Sequence, residues 1–163
     1  MLGRSRYSAE VTEAIRQAEE IIPYSGETDD LLVRLSEARG RPIRLLVSPL
    51  SEAVSGVLIS TEQADYIAVS EGASPERQVA IVCHEVAHVL LGHDHQGSLT
   101  NSLVDTGLLS GLDPKLVSAV VADRQAHAES VEIDAELVAT YISVELRKRI
   151  MRGGHTHFDD RWQ

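Results

Sequence analysis

Two histidines four positions apart, with a glutamate beside the first, are the residues best equipped for chemistry: His84-Glu85-Val86-Ala87-His88. Positions i and i+4 share one face of an α-helix, so both imidazoles can address one metal ion. Glu85 is turned about 100° from His84, near enough to reach a water on that ion but poorly placed as a ligand. Such a pattern reads as a zinc hydrolase with the glutamate as general base. Chance alone gives it about once in forty chains of this composition, so its setting matters. From Ile81 to Leu91, His84, Glu85 and His88 are the only polar side chains. That run predicts a helix buried in the core. Burying two imidazoles and a carboxylate together costs several kcal/mol, which a divalent cation offsets. The metal-free alternative is a pair of core histidines hydrogen-bonded to a neighbouring carboxylate.

Catalytic zinc usually takes three protein ligands and leaves a fourth position for water. His93 and His95 follow closely, but Gly92 breaks the helix before them, and the spacing misses the metzincin pattern. They are expected in a solvated loop or as hydrogen-bond donors to a ligand. Glu132 is the better candidate: a glutamate on a separate helix, 44 positions after His88, is the gluzincin arrangement. Ala135 and Ala139 lie one and two turns along and would let the two helices pack closely. A solvated acidic face formed by Glu129, Glu132, Asp134 and Glu136 is the competing reading. Glu136 shares a face with Glu132 and is its competitor as ligand. Asp134, turned roughly 200° away, is expected to be exposed.

The elements that must position these groups follow from pattern and punctuation. Residues 9–22 predict a helix with Val11, Ile15, Ala18 and Ile22 on one stripe, ended by Pro23 and Gly26. Thr28-Asp29-Asp30 opens a second, with a stripe of Leu31, Leu32, Leu35 and Ala38, stopped by Gly40. Together these form an N-terminal helical part over 9–39. Three β-type runs span 43–70 (Ile43–Ser48, Gly56–Thr61, Tyr66–Ser70), and the short polar breaks between them predict a small three-stranded antiparallel meander. Ser74, Pro75 and Glu76 are a strong N-terminal signature for the histidine helix over 75–91. Asp113-Pro114 predicts a short helix through Val121. A last helix, 129–150, carries Glu132, and its basic end (Arg147, Lys148, Arg149) suits the helix dipole. The fold class is α+β. Residues 1–152 read as one domain, and 153–163, opening with Gly153-Gly154, as a mobile tail.

Composition narrows the functional classes. The 163 residues suffice for one domain with a sizeable core, and a formal charge of −10 argues against direct nucleic-acid binding. One cysteine excludes an internal disulfide, and Cys83 reads as a small core residue. No stretch approaches the length of a membrane span and no signal-like segment opens the chain, so a soluble, cytoplasmic protein is expected.

The chain resembles the ImmA/IrrE family of metallopeptidases over most of its length. The shared plan is an N-terminal helical part, a small sheet, an H-E-x-x-H helix and a later helix carrying E-x-x-A. Here those motifs are His84-Glu85-Val86-Ala87-His88 and Glu132-Ile133-Asp134-Ala135, with Ala139 also fitting. Many members have Asn or Asp after the alanine, where this chain has Glu136; in this, and in Leu112-Asp113-Pro114-Lys115-Leu116-Val117, it resembles actinobacterial members. The resemblance implies that Glu132 completes the ligand set. It also implies a substrate: a helix-turn-helix repressor of the XRE type, cleaved to switch genes on.

The chemistry expected of the site is peptide hydrolysis. Zn²⁺ held by His84, His88 and Glu132 would activate water and polarise the scissile carbonyl, with Mn²⁺ or Fe²⁺ able to use the same ligands. Glu85 would carry the proton from water to the leaving amine. Tyr66, His93, His95, Arg124, His127 and Tyr141 are all candidates to stabilise the oxyanion, and spacing does not choose among them; core packing is the expected role of Tyr141, and a surface loop position that of His127. An acidic surface agrees with a basic DNA-binding partner met as protein, and an exposed edge of the sheet could take an extended substrate segment. The alternative is a metal-containing, toxin-like regulatory partner of a repressor with little peptidase activity. A structural protein with an accidental motif is a third reading, which the E-x-x-A segment disfavours.

Overall fold

A computed structural model describes residues 7–49, 56–60, 63–93, 120–121 and 129–155. In chain order these form α1 (Ala9–Ile21), α2 (Thr28–Arg39), β1 (Ile43–Ser48), β2 (Gly56–Ser60), β3 (Asp65–Ser70), α3 (Pro75–Leu90), β4 (Val120–Val121) and α4 (Glu129–His155). The fold is α+β. Ser8 caps α1 by accepting from the Val11 N–H at 3.1 Å, and the helix buries Val11, Ala14, Ala18 and Ile21. Leu31, Leu32 and Leu35 are the buried stripe of α2; Ala38, placed on that stripe by spacing, is exposed.

The sheet is mixed, not an antiparallel meander. Its order is β1-β3-β2-β4, with β1 parallel to β3 and β2 antiparallel to β3. The chain runs up β1 and down β2, and β3 then inserts between them. Burial agrees with the order: Ile67, Ala68 and Val69 of β3 and Val57, Leu58 and Ile59 of β2 are buried and suit interior positions, whereas β1 exposes Arg44 and Val47 and suits an edge.

Two further expectations change. Val120 and Val121 extend β2 as a two-residue strand, paired with Ser60 and Ile59, where a helix through Val121 was expected; the rest of that segment lies outside the described residues. The last helix also runs past Ile150 and through Gly153 to His155, so 153–155 are helical where a mobile tail was expected, and 156–163 lie outside the described residues. Glycine weakens a helix by about 1 kcal/mol but stops one only where it turns left-handed.

The core lies between sheet and helices. Ile43, Leu58, Ile67 and Val69 pack with Val82 and Val86 of α3 and with Ala135, Val138, Ile142 and Leu146 of α4. The expectation that Ala135 and Ala139 permit close packing of these helices is met, since both are buried along the extensive α3–α4 contact. Asp65 is buried but paired, 3.0 Å from Arg41 Nε and 3.6 Å from Arg39 Nη1, and so ties the α2–β1 turn to the head of β3. Among the described residues no helix is long and apolar enough to cross a membrane.

Candidate metal centre

The histidine helix begins where the sequence places it. Ser74 accepts from the Arg77 N–H at 3.2 Å and Pro75 occupies the first turn. It ends in a Schellman turn: Gly92 has φ 72°, its N–H donates to the Val89 carbonyl, and the His93 N–H donates to the His88 carbonyl at 2.8 Å. Eight of the sixteen residues of α3 are buried, Glu85 and His88 among them, which is the core helix its apolar run predicts.

Helix α4 crosses this surface with Glu132 facing both imidazoles. His84 Nε2 lies 3.0 Å from His88 Nε2, and the two carboxylate oxygens of Glu132 lie 3.4 Å from His84 Nε2 and 3.5 Å from His88 Nε2. One ligand atom from each residue falls within 4.8 Å of the others. A tetrahedral site with ligands at about 2.0–2.1 Å has edges of roughly 3.3 Å. The donor set therefore has the type, number and spacing that Zn²⁺ uses.

Protons sharpen this reading. Glu136 Oε2 lies 3.3 Å from His84 Nδ1; a carboxylate can only accept, so Nδ1 carries a proton, and in the neutral ring His84 Nε2 presents its lone pair. Two arrangements then satisfy the other rings. In one, His93 Nδ1 donates to His88 Nδ1 at 3.2 Å and His88 Nε2 donates to His84. In the other, His88 Nδ1 donates to His93, and both Nε2 lone pairs face the Glu132 carboxylate. The second arrangement is unfavourable alone and well suited to a cation. The residues fit a zinc ion.

Glu85 is 3% exposed and turned toward the sheet. Its Oε1 lies 3.6 Å from where a side chain on Gly56 would begin, and that same Cβ would collide with Ile81 Cγ2. Gly56 thus lets β2 approach the helix face that carries Glu85. Sequence reading treated Gly56 only as the start of a strand; an isolated glycine in such a run signals close backbone approach.

The remaining candidates divide clearly. His93, weighed as a ligand or donor, lies behind His88 rather than on the triad. Glu136, the competitor of Glu132, is the exposed partner of His84. Asp134 is half-buried, not exposed as its helical angle suggested. The Tyr141 hydroxyl donates to Glu19 Oε1 at 3.0 Å, and burial, with that carboxylate, pushes its pKa up to about 12. It packs against the core, as expected, and its proton is committed elsewhere. Tyr66 is half-buried on β3. His95, Arg124 and His127 lie outside the described residues. Cys83, next to His84, is core: burial raises its thiol pKa, although the Ser143 hydroxyl opposes this. It is poorly suited to compete for the ion.

No family model matches the chain, and comparison with curated proteins and with solved structures likewise found no match.

Proposed function

We propose that this protein is a zinc-dependent endopeptidase of the ImmA/IrrE type. The observation that carries the reading is the convergence of His84 Nε2, His88 Nε2 and the Glu132 carboxylate, with a buried glutamate, Glu85, on the helix that carries both histidines. Zinc, when bound, acidifies water and polarises a carbonyl oxygen. His84, His88 and Glu132 hold the ion. Glu136 and His93 fix the imidazoles through their Nδ1 atoms. Glu85 accepts a proton from the attacking water; as the new C–O bond forms and the C–N bond breaks, it returns that proton to the departing amine. A catalytic role explains why the chain buries a carboxylate here, since metal binding alone has no use for a base.

The substrate we propose is a helix-turn-helix repressor of the XRE type, met in the cytoplasm, with the protein itself not binding DNA. The resemblance supports this, and the charge of −10 suits a basic protein partner better than a nucleic acid. The test is incubation of zinc-loaded protein with such a repressor, followed by mass spectrometry of the products. One defined cut is expected, slowed by two or more orders of magnitude in Glu85→Gln. Tight binding without any cut would favour the regulatory-partner reading instead.

A further inference from the structure

Beside the triad, α3 and α4 diverge into a cleft of about 460 Å³. His84 and Glu136 form its end at the candidate metal centre, Ile81 and Thr140 line its middle, and Arg77 and Arg147 are the cationic residues of its wall. Both arginines are exposed, and neither has an ion-pair partner among the described residues. In a chain of charge −10, two guanidinium groups with no ion-pair partner among the described residues outweigh the single carboxylate of the lining, Glu136, which sits at the end by the candidate metal centre.

Helix stability does not account for Arg77. It occupies the third position of α3, three residues after the Ser74 cap, where a glutamate or glutamine would complete a capping box. A cation there opposes the helix dipole instead of complementing it. Arg77 and Arg147 line the same cleft, and the group they suit is an anion of fork-compatible shape.

Resting on the peptidase reading above, we propose that this cleft is a substrate subsite for a carboxylate. From His84 to Arg77 is seven residues of helix, roughly 10 Å at about 1.5 Å per residue. An extended peptide covers that distance in about three residues at roughly 3.3 Å each. The subsite thus selects an Asp or Glu about three positions from the cleaved bond, or the carboxyl terminus of a substrate that ends there.

Two experiments on the full zinc-loaded chain test this. The first profiles cleavage of a random peptide mixture. Enrichment of Asp and Glu at one fixed position is expected, by about three- to tenfold for two exposed guanidinium contacts. The ratio of acidic to amide peptides should fall to about one in the Arg77→Gln/Arg147→Gln variant and should favour Lys in Arg77→Glu/Arg147→Glu. Cleavage in the parent with preference neither for an acidic residue nor for a substrate that ends at that position overturns the subsite and leaves the peptidase reading intact. The second is an NMR titration that needs no turnover. The probes are capped Ala-Glu-Ala amide, capped Ala-Gln-Ala amide, and Ala-Ala-Ala with a free carboxyl terminus. Shifts at the Ala80, Thr140 and Ser143 amides with the glutamate peptide alone identify a side-chain carboxylate, and shifts with the free terminus identify a chain end. Equal shifts with the glutamine peptide overturn the proposal. Carboxylate-dependent shifts in a protein that cuts nothing support the cleft and overturn the peptidase reading.

Discussion

Gly56→Ala tests the packing of the candidate general base without touching it. The added Cβ would meet Ile81 Cγ2 well inside contact distance and the Ala68 carbonyl oxygen at 3.4 Å. Carbon atoms prefer about 3.5–4.0 Å, so α3 and β2 must part by more than an ångström locally. Overpacking of this kind costs about 1–3 kcal/mol, or about 2–12 °C in melting temperature for a chain of this size. Ile81→Ala alone should cost about 2–5 kcal/mol, since the side chain is buried. The collision makes the two changes interdependent. The double variant has room for the new methyl group and should be about as stable as Ile81→Ala alone. Urea unfolding of the four proteins measures this coupling. Because Glu85 lies one turn beyond Ile81, the single Gly56→Ala change should also slow any hydrolysis, and the double variant should recover part of it. Additivity within about 0.5 kcal/mol would refute the reasoning, because residues that do not touch add in that way.

The partners of the imidazoles give two graded expectations. Glu136 is largely exposed, at 71%, so water can replace its contact with His84; Glu136→Ala should weaken zinc affinity by about tenfold, the low end for such groups. Asp134→Ala should leave affinity unchanged, since its side chain is not part of the converging set, and chelator competition reads both variants. His88 is 5% exposed and poorly served by solvent, so His93→Ala should cost more than Glu136→Ala, toward about 100-fold, in the same assay. The reverse ranking would mean that His93 does not hold the His88 ring.

Much of this arrangement was legible in the sequence because its signals are local. Ser74-Pro75 and Gly92 mark the two ends of α3, and the four-residue spacing places His84 and His88 on one face. Ala135 and Ala139 indicated where α4 could come close, and Glu132 faces the histidines there. The position of His93 was recoverable in principle: a Schellman glycine folds the residue after it back over the helix position five earlier, which here is His88. Strand order was harder. The runs Val57-Leu58-Ile59 and Tyr66-Ile67-Ala68-Val69 are both apolar without alternation and mark interior strands, but they do not tell which of the two lies beside β1. An isolated glycine at Gly56 signals a close approach, but that the approaching residue is Ile81 of α3 depends on packing that no local pattern encodes.

Zinc titration of the parent chain, His88→Ala and Glu132→Ala, by chelator competition with metal analysis, tests the three-ligand centre most directly. One ion per parent chain is expected, with stoichiometric binding lost in His88→Ala and affinity sharply lower in Glu132→Ala, since each change removes one of three protein ligands. A Glu132→Ala variant that holds zinc as tightly as the parent, or a Glu136→Ala variant that empties the site instead, would contradict the assignment of His84, His88 and Glu132.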